Sequence, residues 1–212
     1  MKRFKEGQIF HVFNKSIANY PIFKDLKNSE RFIKVLDYYN NQSIDWSLSR
    51  YLIINKEDFL PKLLTEKNGA LLKFLAYCIM PDHYHILVKV LKDNILSKYI
   101  NDVENSFTRF FNIKFKRKGP LWESRFKAVL IRTDNQLLHV TRYIHLNPTS
   151  SSLVDSPKDW IFSSFNDYLD KDILKNYLKE ISIDEPLLYQ KFCEDNIDYQ
   201  RKLKKIKKLI FD

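Results

Sequence analysis

The sequence predicts an α+β domain in which helices pack on one face of an antiparallel sheet, and three observations support this fold class. Apolar residues make up 44% of the 212 residues and include 16 Phe and 12 Tyr, enough for a sizeable core. Short aromatic and β-branched runs, typical of strands, alternate with longer segments of helical apolar spacing. Their order is β, α, β, β, α, β, α, which predicts a ferredoxin-like (RRM-like) layer.

The first strand and helix precede the least regular part of the chain. Residues 8–16, QIFHVFNKS, have the composition of a strand. Residues 27–41 predict a helix because apolar side chains recur at i, i+3, i+4 and i+7, at Phe32, Val35, Leu36 and Tyr39. Residues 42–70 are expected to form an insertion, in which 47–55, SLSRYLIIN, resembles a further strand.

The centre of the predicted sheet is a hairpin. Two apolar runs, 72–80 and 84–90, flank the turn signal Pro81-Asp82. A long helix is expected over 95–115, because one apolar stripe runs along it at Leu96, Ile100, Val103, Phe107 and Phe110.

A basic loop at 114–120, KFKRKGP, leads into a predicted strand around 124–132. Thr133 and Gln136 have capping-box spacing at the start of the next predicted helix, which Pro148 closes. Residues 1–170 are therefore expected to form one domain, and 171–212 an accessory helical tail. Within the tail, residues 201–208, RKLKKIKK, include six basic side chains.

Charge and motifs restrict the classes of function. The formal net charge of +10 favours a polyanionic partner, nucleic acid first. No GxGxxG or GxxxxGK[ST] motif is present, so a nucleotide cofactor is not expected. The sequence has no apolar run of the ~20 residues that a membrane span needs, and its two cysteines form no metal or disulfide framework. A cytoplasmic protein is the expectation.

Two of the five histidines, His83 and His85, are two residues apart in a predicted strand. Side chains alternate across a strand, so both imidazoles point to the same face, about 6 to 7 Å apart. They can share a metal ion if a third ligand comes from elsewhere. A His-x-His pair alone is weak evidence, because surface or core histidines give the same pattern.

The segment MPDHYHILV, residues 80–88, resembles the His-hydrophobic-His signature of the HUH single-tyrosine transposases, the IS200-like family, although Asp82 replaces the commoner Asn. The resemblance continues, in order, through FHVFNKSIANYPIF, GPLWESRFKAVLI and RYIHLNPTSSSLVDSPKDWIFSSFNDYL. The last of these is most similar to the REP-associated tyrosine transposases. The implied function is a metal-dependent endonuclease and strand transferase that cleaves single-stranded DNA next to hairpins through a 5′-phosphotyrosine.

The resemblance also assigns roles to particular residues. It places the catalytic tyrosine at Tyr143 and a third metal ligand at Asn147; the two are four residues apart and so share one side of a helix. Mixed nitrogen and oxygen ligands suit Mg²⁺ or Mn²⁺. His139, four residues before Tyr143, is a possible accessory residue, and Glu123 could approach the metal. Without the resemblance, Tyr143 could be a core residue and Asn147 a helix cap.

Basic and aromatic side chains interleave around the 114–120 loop, the pattern expected where a single strand is bound by phosphate neutralisation and base stacking. The candidate DNA-binding residues are Lys114, Lys116, Arg117, Lys118, Trp122, Arg125 and Lys127. A solvated charged surface over core aromatics would account for about half of them. Whether the chain acts as a monomer or as a homodimer with swapped tyrosine helices is left open.

Two other functions fit the sequence less well. A replication-initiator or relaxase-type HUH nickase is one, but relaxases generally place the tyrosine ahead of the histidines, and here it follows them. A non-catalytic module that binds single-stranded nucleic acid is the other; such a module would not require His83, His85, Tyr143 and Asn147 together.

Overall fold

A computed structural model describes residues 4–56 and 59–211, and the side chains of 205 and 207–211 fall outside the description. Positions 57 and 58 of the predicted insertion, and the side chains of 205, 207 and 208 in the basic run at 201–208, are therefore outside it. The strands are β1 (Ile9–Lys15), β2 (Leu72–Ile79), β3 (His83–Val90) and β4 (Lys127–Ile131). The α-helices are α1 (Leu26–Tyr39), α2 (Leu48–Asn55), α3 (Ile95–Lys114), α4 (Asp134–His145), α5 (Asn147–Ser150), α6 (Pro186–Glu194) and α7 (Ile197–Phe211).

The four strands form one sheet in the order β2-β3-β1-β4, and every neighbouring pair is antiparallel. This is the order that a ferredoxin-like fold requires, so the predicted fold class is confirmed. The register places Phe13 of β1 opposite both His85 of β3 and Lys127 of β4. His85 therefore lies in the middle of the sheet rather than at an edge.

The two faces of the sheet carry different layers. Even-numbered side chains of β3 point towards α1 and α3, where the ring of Tyr84 packs 5.0 Å from that of Phe32. Phe107 of α3 belongs to the same cluster, with its ring 5.1 Å from Phe32. The odd-numbered His85 points to the opposite face, over which α4 lies. The helices α1 and α3 thus cover one face as predicted, while α4 covers part of the other.

The segment 47–55 is helical, so the expectation of a strand there is wrong. Ser47 begins α2 by accepting a hydrogen bond from the backbone N–H of Arg50, at 3.3 Å. The serine cap outweighs the β-branched residues, and a short apolar run fits helix and strand equally well.

The tail packs on the tyrosine-bearing helix. His145, fully buried at the end of α4, has its Nδ1 2.7 Å from the Tyr189 hydroxyl of α6 and its Nε2 2.8 Å from Ser164 Oγ. Within residues 4–56 and 59–211, no helix has the length and apolar character that crossing a membrane demands. The division of the chain at residue 170 stays a prediction.

Candidate active site

A cavity of about 290 Å³ opens on the α4 face of the sheet, and we call it the candidate pocket. Its lining residues are Phe13, Asn14, Lys15, His83, His85, Glu123, Ser124, Lys127, Tyr143, Asn147 and Lys204. Two larger clefts beside α2, of about 420 and 490 Å³, contain only Lys114 of the predicted site residues. The candidate pocket therefore brings together the predicted nucleophile and all three predicted metal ligands.

The two strand histidines are close together and buried to different degrees. Their ring centroids are 5.0 Å apart with the ring planes perpendicular. His85 is 6% exposed, and burial, followed by the charges of His83 and His11, lowers its pKa well below the usual value. A histidine that stays neutral keeps a lone pair available for a cation.

Each of the two imidazoles has its Nδ1 next to a polar partner. His83 Nδ1 lies 2.6 Å from Asp82 Oδ1, and His85 Nδ1 lies 3.0 Å from Nε2 of His11 on β1. Lys15 Nζ is 3.7 Å from the other Asp82 oxygen. Burial raises the pKa of Asp82, but its hydrogen bond to His83 and the charges of His83 and Lys15 leave that pKa below the ordinary value.

The capping of α4 fixes the start of the helix that carries Tyr143. Thr133 Oγ1 accepts from the Gln136 N–H at 3.1 Å, and Gln136 Oε1 accepts from the Arg132 N–H at 2.9 Å. Leu137 and Ile144 are buried beneath the helix. These contacts leave Tyr143 on the pocket side of α4.

Tyr143 is 39% exposed, and its ring lies edge to face with the ring of His85, 5.6 Å between centroids. Burial raises the pKa of the Tyr143 phenol, and its hydrogen bond with the Asn147 side chain acts in the opposite direction. Nδ2 of Asn147 also donates to the Tyr143 carbonyl at 3.1 Å. Asn147 is buried, and it begins α5 after a break at Leu146 instead of continuing α4.

The side chains present fit a divalent cation. Over the described part of the chain, no group of three or more His, Cys, Asp or Glu side chains is arranged to hold a metal ion. A metal site would therefore use the two imidazoles, an amide oxygen from Asn147, and phosphate or water. Because the Nδ1 atoms of His83 and His85 already have partners, the Nε2 atoms are the nitrogens left for a ligand bond.

The structure divides the predicted DNA-binding residues into two groups. Lys127 lines the candidate pocket and is exposed, Arg125 is exposed two residues before it, and Lys116 and Lys118 are exposed on the loop. Lys114 instead bonds Asp25 Oδ2 at 2.6 Å. Arg117 and Trp122 also contact other residues of the chain.

Arg117 and Trp122 serve the fold. Arg117 donates to Asn112 Oδ1 at 2.9 Å and to the Pro120 carbonyl at 2.8 Å. The Trp122 ring is 5.5 Å from that of Tyr84, so it packs with core rings and not on an open surface. His139 is likewise outside the candidate pocket; its ring lies 5.9 Å from that of Phe192 of α6.

Sequence reasoning missed two residues at the site. His11 is buried behind His85, and its place in the strand QIFHVFNKS gave no sign of that contact. Lys204 comes from α7, which docks through Gln200 Nε2 to the Tyr143 carbonyl at 3.1 Å and through Arg201 Nε to the Thr149 carbonyl at 3.0 Å. Lys204 itself bonds the hydroxyl of Ser151 and lines the candidate pocket.

Comparison with known proteins confirms the predicted family resemblance. Residues 52–147 match the model of the family described as "Transposase IS200 like". The matched stretch includes His83, His85, Tyr143 and Asn147 and leaves out His11.

A protein of Haemophilus influenzae described as a REP-associated tyrosine transposase is 33% identical over 102 residues. The match covers 43% of this chain and 58% of that relative, so the chain spans just under three fifths of the curated relative's length.

Two solved structures are also similar. A REP-associated tyrosine transposase bound to a REP hairpin aligns with a TM-score of 0.56 and 15% identity, covering 80% of this chain and 83% of the other. At that identity the likeness supports the fold alone. A Deinococcus radiodurans protein described as a transposase aligns with a TM-score of 0.37 and 12% identity over 68% of this chain and 90% of the other, too low to support the fold assignment.

Proposed function

From the match of residues 52–147 to the IS200-like transposase family, we propose that this chain is an HUH-type single-strand DNA endonuclease and strand transferase. It depends on a divalent metal and cleaves beside DNA hairpins through a 5′-phosphotyrosine intermediate. The observation that carries the proposal is the meeting of Tyr143, His83, His85 and Asn147 in one pocket of one chain.

Tyr143 is the proposed nucleophile. Its phenol oxygen forms a bond to the phosphorus of the scissile phosphodiester, and the bond from phosphorus to the 3′ oxygen breaks. The phenol proton is lost to solvent, and the leaving 3′ oxygen takes up a proton to become a hydroxyl. One phosphodiester is exchanged for another, so a DNA 3′-hydroxyl can reverse the step at a new junction without ATP. A reaction that needs no ATP agrees with the lack of a nucleotide-binding motif in the sequence.

His83, His85 and Asn147 are the residues that would hold Mg²⁺ or Mn²⁺. When bound, such an ion withdraws charge from the phosphate and orients it for in-line attack by a phenol whose ordinary pKa is near 10. The amide of Asn147 has a second role because it bonds the Tyr143 carbonyl, which ties the nucleophile's backbone to the ligand set.

The charges around the candidate pocket fit a DNA strand. Lys15, Lys127 and Lys204 all line it, together with the single carboxylate of Glu123. Ammonium groups at this position would neutralise phosphates on either side of the scissile bond. The proposed substrate is a hairpin-flanked single strand; the REP-associated tyrosine transposase of similar fold is itself bound to a REP hairpin.

In the experiment, the purified chain is incubated in Mg²⁺ or Mn²⁺ with oligonucleotides that have a single-stranded segment next to a hairpin. The product sought is a denaturant-stable adduct of protein and DNA. A label at the DNA 3′ end should remain with the protein, because a 5′-phosphotyrosine retains the downstream fragment. Tyr143→Phe should abolish the adduct, whereas Tyr20→Phe, at an exposed tyrosine outside the candidate pocket, should not. EDTA should prevent formation.

The same experiment separates the rival functions. A non-catalytic binding module would retain the oligonucleotide and form no adduct with any metal. A replication-initiator nickase would form the adduct equally well with an otherwise identical oligonucleotide that lacks the hairpin. An adduct that survives Tyr143→Phe would refute the assignment of the nucleophile.

A further inference from the structure

The contact between His11 and His85 joins two buried imidazoles. Their nitrogens, Nε2 of His11 and Nδ1 of His85, are 3.0 Å apart, and the rings stack with centroids 5.1 Å apart at an interplanar angle of 26°. His11 is 8% exposed and does not line the candidate pocket. It contacts two residues that do: His85 through this hydrogen bond, and Tyr143 through an edge-to-face arrangement with ring centroids 6.1 Å apart.

A neutral imidazole carries one proton, so this hydrogen bond has two possible arrangements. If His11 donates, His85 must hold its own proton on Nε2, and that nitrogen cannot bind a cation. If His85 donates from Nδ1, its Nε2 lone pair is available to the pocket. The bond thus couples the tautomer of His85 to its capacity as a ligand.

The neighbouring histidine has only one of these arrangements. Ionised Asp82 can only accept, so His83 must donate from Nδ1 across the 2.6 Å contact. His83 Nε2 is then unprotonated in the neutral ring. A ligand pair works together only if His85 adopts the same tautomer.

We propose that His11 is a positioning residue that accepts the Nδ1 proton of His85, as Asp82 accepts that of His83, so that both Nε2 atoms face the candidate pocket as metal ligands. The proposal rests on the proposed function for the identity of the ligand set. It assigns a role to a residue outside the stretch matched by the family model. Metal-binding histidines generally donate their second N–H in this way, and removing the acceptor typically weakens metal binding 10- to 100-fold.

The first test uses the metal-free protein with ¹⁵N-labelled histidine. Long-range ¹H–¹⁵N spectra should show the proton of both His83 and His85 on Nδ1. In His11→Leu, the His85 pattern should change while that of His83 persists. A proton on Nε2 of His85 in the unsubstituted protein would overturn the proposal, and this measurement needs no variant to fold.

The second test measures Mn²⁺ binding by electron paramagnetic resonance. His11→Leu should weaken binding by roughly 10-fold. His11→Gln should recover much of the loss, because the glutamine Oε1 can accept a hydrogen bond where His11 Nε2 stands. His139→Gln, at a histidine outside the candidate pocket, is the matched control and should bind as the unsubstituted protein does. Equal Mn²⁺ affinity in His11→Leu and His11→Gln would count against a role through the hydrogen bond.

The outcomes distinguish this proposal from the proposed function. Nδ1 protons that depend on His11, with Mn²⁺ bound but no DNA adduct, would uphold the positioning role and refute the transferase. Adduct formation together with an unchanged His85 tautomer in His11→Leu would uphold the transferase and refute the positioning role.

Discussion

The ring of Tyr143 on α4 lies edge to face with the ring of His85 on β3, centroids 5.6 Å apart, within a single chain. The helix that carries the proposed nucleophile therefore folds over its own sheet. A swapped arrangement would instead supply the tyrosine from a second copy. The contacts of α4 with the tail, through His145 and Tyr189, hold it in this position.

The first prediction follows from that geometry. A mixture of Tyr143→Phe and His85→Ala proteins should form no DNA adduct, because neither chain has a complete pocket. If tyrosine helices exchanged between two copies, one mixed site would contain both an intact tyrosine and an intact histidine pair. Recovery of the adduct on mixing would therefore show that the site is assembled in trans.

The second prediction concerns Lys204, which α7 brings to the candidate pocket. Lys204→Ala should lower the affinity for single-stranded DNA and reduce the slope of log K against log salt by about 0.7, the value for one lost phosphate contact. Lys202→Ala is the matched control, because that exposed lysine is on the same helix and does not line the pocket. Equal slopes for the two variants would remove Lys204 from the DNA-binding surface.

The third prediction divides the basic loop. Replacing Lys116 and Lys118 together with alanine should reduce the salt slope by about 1.4, two single-strand phosphate contacts, and leave the free energy of unfolding unchanged. Arg117→Ala should instead lower that free energy by roughly 1 to 2 kcal/mol, because two hydrogen bonds within the loop are lost. Salt-dependent binding and urea unfolding measure the two effects separately. A loop that contributes no phosphate contact would leave the slope as it is.

The spatial relationships that the sequence predicted correctly are local ones. His83 and His85 share a face because they are two apart on a strand, and Tyr143 and Asn147 share a side because they are four apart. These rules need no knowledge of the tertiary fold. The ordered family motifs then indicated that the two pairs belong to one site.

What the sequence could not predict depends on register and packing. The partnership of His11 with His85 spans 74 residues and arises from the pairing of β1 with β3. Trp122 looked like a stacking platform because basic residues surround it, but periodicity in a short loop does not show which rings turn inwards. Lys204 reaches the pocket only because α7 docks on the segment after Tyr143, and no local pattern indicates that docking.

The fourth prediction concerns a buried carboxyl group beneath the candidate pocket. Glu104 of α3 accepts hydrogen bonds from Asn14 Nδ2 and from the Tyr84 hydroxyl, both at 2.8 Å. Burial raises the pKa of Glu104 from 4.5 to about 7, and the two hydrogen bonds act in the opposite direction. At a pH between the unfolded-state pKa of 4.5 and the folded-state pKa of about 7, Glu104 is protonated in the folded chain and ionised in the unfolded chain.

The sign of the pH effect follows from that proton. The contribution of Glu104 to stability is complete below pH 4.5 and is lost as the pH rises through 7, because the unfolded state then binds fewer protons than the folded state. Glu104→Gln cannot ionise. Between pH 5 and 8 its free energy of unfolding should therefore rise, relative to that of the unsubstituted protein, by up to about 3 kcal/mol. Urea unfolding of both proteins at intervals of one pH unit measures this difference. The buried histidines are the same in both proteins, so their opposing contribution cancels when the two curves are subtracted. Parallel stability curves would mean that Glu104 is ionised throughout this range.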